Sequence, residues 1–259
     1  MARRWGALLA ALVVLAIPAR ASAVPYVTAD GHTIEVVAPN LPADAARDQS
    51  FVDVLGSLVH GIELSGLRVH LSATQAELSQ NCGGSPTVRG CVNGGTMFLA
   101  GWRTAQEQRT TIAHEYGHVI QTSRGNPPRG TLSDGTKRWA SYEGICQGLR
   151  SGQYGDFDYL KTPREANAHA YATLNFPETE WLFDESLRPD AGALEAIRQD
   201  VLEPWIATRQ AVEGKLTKRR KRSTHDLPLP VDGPLIVKLK TAKQLDAKLT
   251  FRAGERKVV

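Results

Sequence analysis

The sequence predicts an α+β fold built on a small mixed sheet, and three observations carry that expectation. Short stretches that alternate apolar and polar residues are separated by longer ones with helical spacing. One stretch, about 105–124, has both a start and a stop signal for a helix. A second, alanine-rich stretch follows it after an irregular excursion that carries Gly, Ser and Pro.

Taken in order, a strand is expected near Thr33 to Val37, then a helix from about Ala43 to His60 whose apolar face is Phe51, Leu55, Leu58 and Val59. Leu67, Val69 and Leu71 alternate inward along a short strand at 67–71. A Gly-rich loop from Asn81 to Cys91 follows, closed by an expected Cys82–Cys91 bridge, and then a strand from about Thr96 to Ala100. Cys146 is left over, as a buried thiol or as the partner of one of the other two cysteines.

Thr104-Ala105-Gln106-Glu107 fits a capping box and places the next helix start near 105. Ile112, Tyr116, Val119 and Ile120 recur at helical spacing, and Gly125-Asn126-Pro127-Pro128 supplies the stop. Residues 125–162 are expected to be irregular, with a helical turn or two near Tyr142 to Leu149, and to wall a cleft. Helices follow at about Pro163 to Leu174 and about Ala191 to Ala211. Leu235 to Lys240 and Lys248 to Arg252 alternate like two small strands. No internal repeat is present.

The ends and the charge define the domains. Arg3 and Arg4, the apolar run Gly6 to Ile17 and the small residues Ala21-Ser22-Ala23 read as a signal peptide over 1–23, so a secreted or extracytoplasmic protein is expected, with no transmembrane segment after cleavage. The net charge of +4 divides unevenly: residues 24–213 carry 15 basic and 23 acidic side chains, and the chain from Lys215 onward 13 basic and 4 acidic. A domain over 24–213 is therefore expected to precede a basic, Pro-rich linker at 214–234 and a small basic tail at 235–259. The run Lys218, Arg219, Arg220, Lys221 and Arg222 reads as a solvated linker, as an adhesive patch for an anionic surface polymer, or as part of a tail that masks the acidic body. Nucleic-acid binding is a poor reading, since no aromatic residues interleave with the run.

The chemistry is concentrated in His114-Glu115-Tyr116-Gly117-His118. Four residues apart on a helix, the two imidazoles lie about 40° from one another and can ligate one Zn2+ ion, with Glu115 beside them as a general base. A zinc catalytic site needs a third protein ligand. The extended motif with a third histidine is excluded, because positions 121 and 124 hold Gln121 and Arg124. Glu165 on the next long helix is the best candidate, with Glu143, Asp156, Asp158 and His169 as alternatives. Glu165 could instead cap its own helix, because Thr162-Pro163-Arg164-Glu165 is itself a capping box. His169 and Tyr171 are the candidates for steadying an oxyanion.

The motif His-Glu-Tyr-Gly-His-Val-Ile-Gln, followed some fifty residues on by Glu-Ala-Asn, resembles the compact gluzincin-type zinc metallopeptidases over about residues 95–175. The resemblance implies a zincin-like fold, with an active-site helix carrying HExxH, a following helix carrying a glutamate ligand, and the strand at 96–100 at a sheet edge, where an extended peptide could add to it. It also implies His114, His118 and Glu165 as metal ligands and Glu115 as the catalytic base. Where thermolysin-like members carry an acid four residues after that glutamate, this chain has His169. The expected function is a secreted peptidase acting on peptide or protein substrates. The alternative is an exported, non-catalytic binding protein that uses its basic tail, with a structural or degenerate metal site.

Overall fold

Five strands form one mixed sheet in the computed structural model, which describes residues 23–124 and 134–206, with short stretches at 223–226, 231–232, 250–253 and 256–258. The strands are β1 (Val24–Val27), β2 (Thr33–Val37), β3 (Arg68–Ser72), β4 (Gly90–Asn93) and β5 (Thr96–Ala100), in spatial order β1-β2-β3-β5-β4. The three middle strands are parallel to one another, and the two outer ones run antiparallel to their neighbours. Two expected strands, β2 and β5, have the expected bounds, and β3 lies one residue further on.

Around the sheet lie α1 (Ala45–Ser57), α2 (Gln75–Asn81), α3 (Arg109–Ser123), α4 (Lys137–Tyr142), α5 (Ile145–Ser151), α6 (Pro163–Asn175) and α7 (Ala191–Leu202). Alternation along the middle strands sends Ile34, Val36, Val69, Leu71, Met97 and Leu99 inward. There they join Phe51, Val52 and Leu55 of α1, Ile112 and Tyr116 of α3 and Ala170 and Tyr171 of α6 in one core. No described helix is long and apolar enough to cross a membrane.

Several boundaries differ from expectation for identifiable reasons. The expected box at Thr104 does form, with the Glu107 amide donating to Thr104 Oγ1 (3.2 Å) and the Thr104 amide to Glu107 Oε2 (2.9 Å). It closes a separate turn, and α3 starts only at Arg109. The buried Gln108 side chain donates from Nε2 to the Ala100 carbonyl (2.8 Å), fastening the turn to the end of β5. Helix α1 ends at Ser57, short of His60, because Val59 is drawn out to α6. Its amide donates to Asn175 Oδ1 (2.7 Å), and its carbonyl accepts from Tyr171 Oη (2.5 Å). Helix α7 stops at Leu202, because Pro204 disfavours helical backbone at Glu203.

The edge expectation for 96–100 is overturned. β5 is an inner strand between β3 and β4, and the edge is β4, which the sequence reading passed over inside the cysteine loop. The expected disulfide forms between Cys82 and Cys91 and ties the end of α2 to β4, while Cys146 is a partly buried free thiol. The irregular excursion is more helical than expected, since it contains both α4 and α5, with Trp139 fully buried. At the C-terminus, β6 (Phe251–Ala253), which overlaps only the end of the expected 248–252 strand, pairs with β7 (Arg256–Val258). The signal peptide but for Ala23, the 125–128 stop signal, the basic run 218–222 and the 235–240 strand lie outside the described residues.

Candidate metal centre

Helix α3 packs chiefly against α6, and the closeness of that packing depends on two small residues. A methyl group placed on Gly117 would come within 2.9 Å of the Ala168 Cα and 3.1 Å of its carbonyl oxygen. With hydrogen at one position and methyl at the other, the two backbones nearly touch. The alanines around Glu165 permit this approach, as the sequence suggested. As a result Glu165, on the first turn of α6, faces the histidine pair on α3.

Three ligand atoms converge there, and His114, His118 and Glu165 together could hold a metal ion. Glu165 Oε2 lies 3.4 Å from His114 Nε2 and 3.3 Å from His118 Nε2, and the two rings stand edge to face with centroids 4.9 Å apart. Ligands about 2.0–2.1 Å from a tetrahedral ion stand roughly 3.3–3.4 Å from one another, so these separations fit such an ion. The competing role for Glu165 as a cap is not adopted. The Thr162 amide donates to the Tyr159 carbonyl, and the Thr162 hydroxyl to the carbonyls of Gly155 and Asp158.

Supporting contacts hold the donors in place. His118 Nδ1 lies 2.9 Å from Gln121 Oε1, so with Nδ1 protonated it donates there and leaves Nε2 free for a metal. Gln121 is fixed in turn, its amide nitrogen donating to the Arg164 carbonyl (2.8 Å) and to Asn167 Oδ1 (2.9 Å). The sequence reading used Gln121 only to exclude a third histidine and missed this role. No local pattern pointed to it, since its partners Arg164 and Asn167 lie more than forty residues away. Arg124, at the other excluded position, donates to Glu63 Oε2 (2.8 Å) and to the carbonyls of Asp200 and Val201, and so ties the end of α3 to α7. Glu165 Oε1 accepts from Arg164 Nε (3.1 Å) and Nη2 (2.9 Å).

Charge at the centre is set by burial and by these partners. Burial pushes the His114 imidazole down to about 4 and the Glu115 carboxyl up to about 7. Burial also opposes ionisation of Glu165, but hydrogen bonds from His114 and His118 outweigh it and hold the carboxyl well below the usual range. Burial acts against a charge on His118 as well, yet its contact with Glu165 and the nearby Glu115 raise it. The two histidines that share one carboxylate are thus shifted in opposite directions, His114 down and His118 up.

Glu115 is buried beside the pair and lies under the edge strand, since a methyl group on Gly90 would come within 2.9 Å of Glu115 Cγ. The absence of a side chain at Gly90 therefore gives Glu115 its place. Tyr171 is turned away from the centre. Its hydroxyl donates to the Val59 carbonyl and its ring lies against Tyr116 in the core, so it cannot steady an oxyanion. His169 is adjacent, 5.7 Å from the His114 ring, but its Nε2 is bound to the Glu180 carbonyl (2.7 Å) and its ring packs against Trp181 and Phe183. Glu143 ends α4, Asp158 caps a 3₁₀ turn at Tyr159–Lys161 and Asp156 is exposed, and none of them joins the cluster. A residue the sequence reading missed does reach it: the half-exposed Tyr159 donates to Glu165 Oε2 (3.3 Å).

Comparison with protein-family models, with curated proteins and with solved structures finds no match to this chain.

Proposed function

We propose that this chain is an exported zinc-dependent peptidase, a reading that rests above all on His114, His118 and Glu165 converging beside the buried Glu115. Two imidazoles and one carboxylate from two helices suit zinc and leave a coordination position for solvent. When bound, the ion supplies Lewis acidity that acidifies a water and polarises a substrate carbonyl. The remaining work falls to the chain's own side chains.

Glu115 takes a proton from the attacking water and delivers it to the leaving amine. Before a metal binds, burial pushes its carboxyl up to about 7, which favours proton uptake by this group. Tyr159, whose hydroxyl bonds to Glu165, is the donor assigned to the developing oxyanion in place of Tyr171. An extended substrate would lie along the free side of β4, which passes over Glu115 at Gly90, and so present its carbonyl to the centre. The Cys82–Cys91 bridge, which pins β4, supports an oxidising compartment.

Zinc content and casein turnover test this reading. Wild type is expected to retain zinc at the centre and to cleave, and Glu165→Ala to lose both. Glu115→Gln is expected to keep the zinc while losing about 10²–10⁴ of the rate. Unchanged turnover in Glu115→Gln would exclude the mechanism.

A further inference from the structure

A second convergence of metal-binding groups lies at the other end of the sheet, in Asp30, His32 and His60. Asp30 and His32 belong to the turn between β1 and β2, and His60 to the segment that leaves α1. Asp30 Oδ2 is 3.1 Å from His60 Nε2 and 3.6 Å from His32 Nε2, and the two rings meet edge to face with centroids 4.9 Å apart. These separations bracket those at the first centre and the roughly 3.3–3.4 Å spacing of ligands around a tetrahedral ion.

The donors are held from behind, as metal ligands are. The turn is closed by the Thr28 amide donating to the His32 carbonyl (2.9 Å) and by Gly31 in left-handed backbone, φ +96°. Thr28 Oγ1 donates to Asp30 Oδ1 (2.6 Å), which leaves Oδ2 for the centre. His32 Nδ1 lies 2.6 Å from Ser65 Oγ, so it can donate there and turn Nε2 inward. His60 is fixed through its neighbours, since Val59 is bonded to α6 at both its amide and its carbonyl and the Gly61 amide donates to Glu63 Oε1 (3.0 Å). The histidine side chains are mostly covered, 25% and 12% exposed, whereas Asp30 at 47% leaves a side open for water.

We propose that Asp30, His32 and His60 form a second site for a borderline transition-metal ion such as zinc, distinct from the centre on α3 and α6. The donor set of two nitrogens and one oxygen disfavours calcium and magnesium, which take oxygen ligands. An ion there clips the outer β1–β2 hairpin to the segment after α1, which itself hangs on α6. The site is structural, and it does not depend on the peptidase reading.

Zinc stoichiometry of the full chain, free of any affinity tag and dialysed against dilute ZnCl2, tests it. Wild type is expected to bind two zinc ions, His60→Asn one and His114→Ala/His118→Ala one, while adding His60→Asn to that pair leaves none. The melting temperature of the His114→Ala/His118→Ala protein should rise with ZnCl2, and adding His60→Asn should abolish the rise. If wild type and His60→Asn bind equal amounts of zinc, the proposal is overturned. A wild type with one ion that His60→Asn removes would support this site and count against the first centre instead. Asp30→Asn, which leaves both rings in place, is a second variant should His60→Asn fail to fold, and it is expected to weaken zinc binding at this site at least tenfold.

Discussion

Gln121 shows how much of this site is decided by single residues that do not themselves bind metal. It receives His118 on one side and is anchored to Arg164 and Asn167 of α6 on the other, so it links the two helices and sets one imidazole. Gln121→Ala is expected to lower zinc affinity about 10–100-fold while the protein stays folded, as measured by competition with a chromophoric chelator. Glu143 is a second instructive residue. Burial, with Asp190 nearby, pushes its carboxyl up to about 7 from an ordinary 4.5, so the folded protein binds this proton more tightly than the unfolded chain. Its contribution to stability therefore falls as pH rises from about 4.5 through 7 and is flat beyond. Glu143→Gln should raise the melting temperature by an amount that grows across that window, though only by a fraction of the full linkage value, because the side chain is partly exposed. A temperature difference that does not vary with pH would refute this.

At the scale of elements, the decisive contact is α3 against α6. The atoms nearest in front of Gly117 are the Cα, carbonyl oxygen and Cβ of Ala168, none of which can swing aside as the end of a long side chain can. Gly117→Ala gains helix propensity, worth about 1 kcal/mol at most. It must also force the helices apart, and overpacking costs about 1–3 kcal/mol. The second effect should win, so lower thermal stability together with weakened zinc binding is expected in melting curves and metal analysis. Comparison with Ala170→Gly, a change on α6 that opens space instead, would separate loss of stability from loss of the metal geometry. The edge strand β4 is the complementary case: a short strand held by β5 on one side and by a disulfide to α2, with Gly90 admitting Glu115.

For the whole molecule, the uneven charge along the chain poses the open functional question. Residues 24–213 are acidic and the remainder strongly basic, and the run Lys218 to Arg222 lies outside the described residues. If the tail masks the body, a protein ending at Glu213 should be more active than the full chain at low salt, and the gap should close at high salt as charges are screened. Equal activity at both salts would remove the masking idea.

Much of this architecture was legible locally. β2 and β5 followed from alternation, α6 from Pro163 at its first turn, and the paired histidines from a spacing of four on a helix. These depend on interactions within a few residues, which the chain order itself encodes. The short pieces were not legible, because four residues of β4 or six of α4 are too few to establish a period. Nor was the extent of α1, which depends on Asn175 and Tyr171 more than a hundred residues away. The sequence by itself determined which residues could bind a metal at the first centre and on which helix the pair would lie. Only the tertiary structure decided that Glu165 faces the pair instead of capping its own helix, that Tyr171 turns inward, and that Asp30 and His32 meet His60. The physical reason is distance along the chain: close packing at Gly117 and a tether at Val59 fix these meetings, and neither leaves a local pattern.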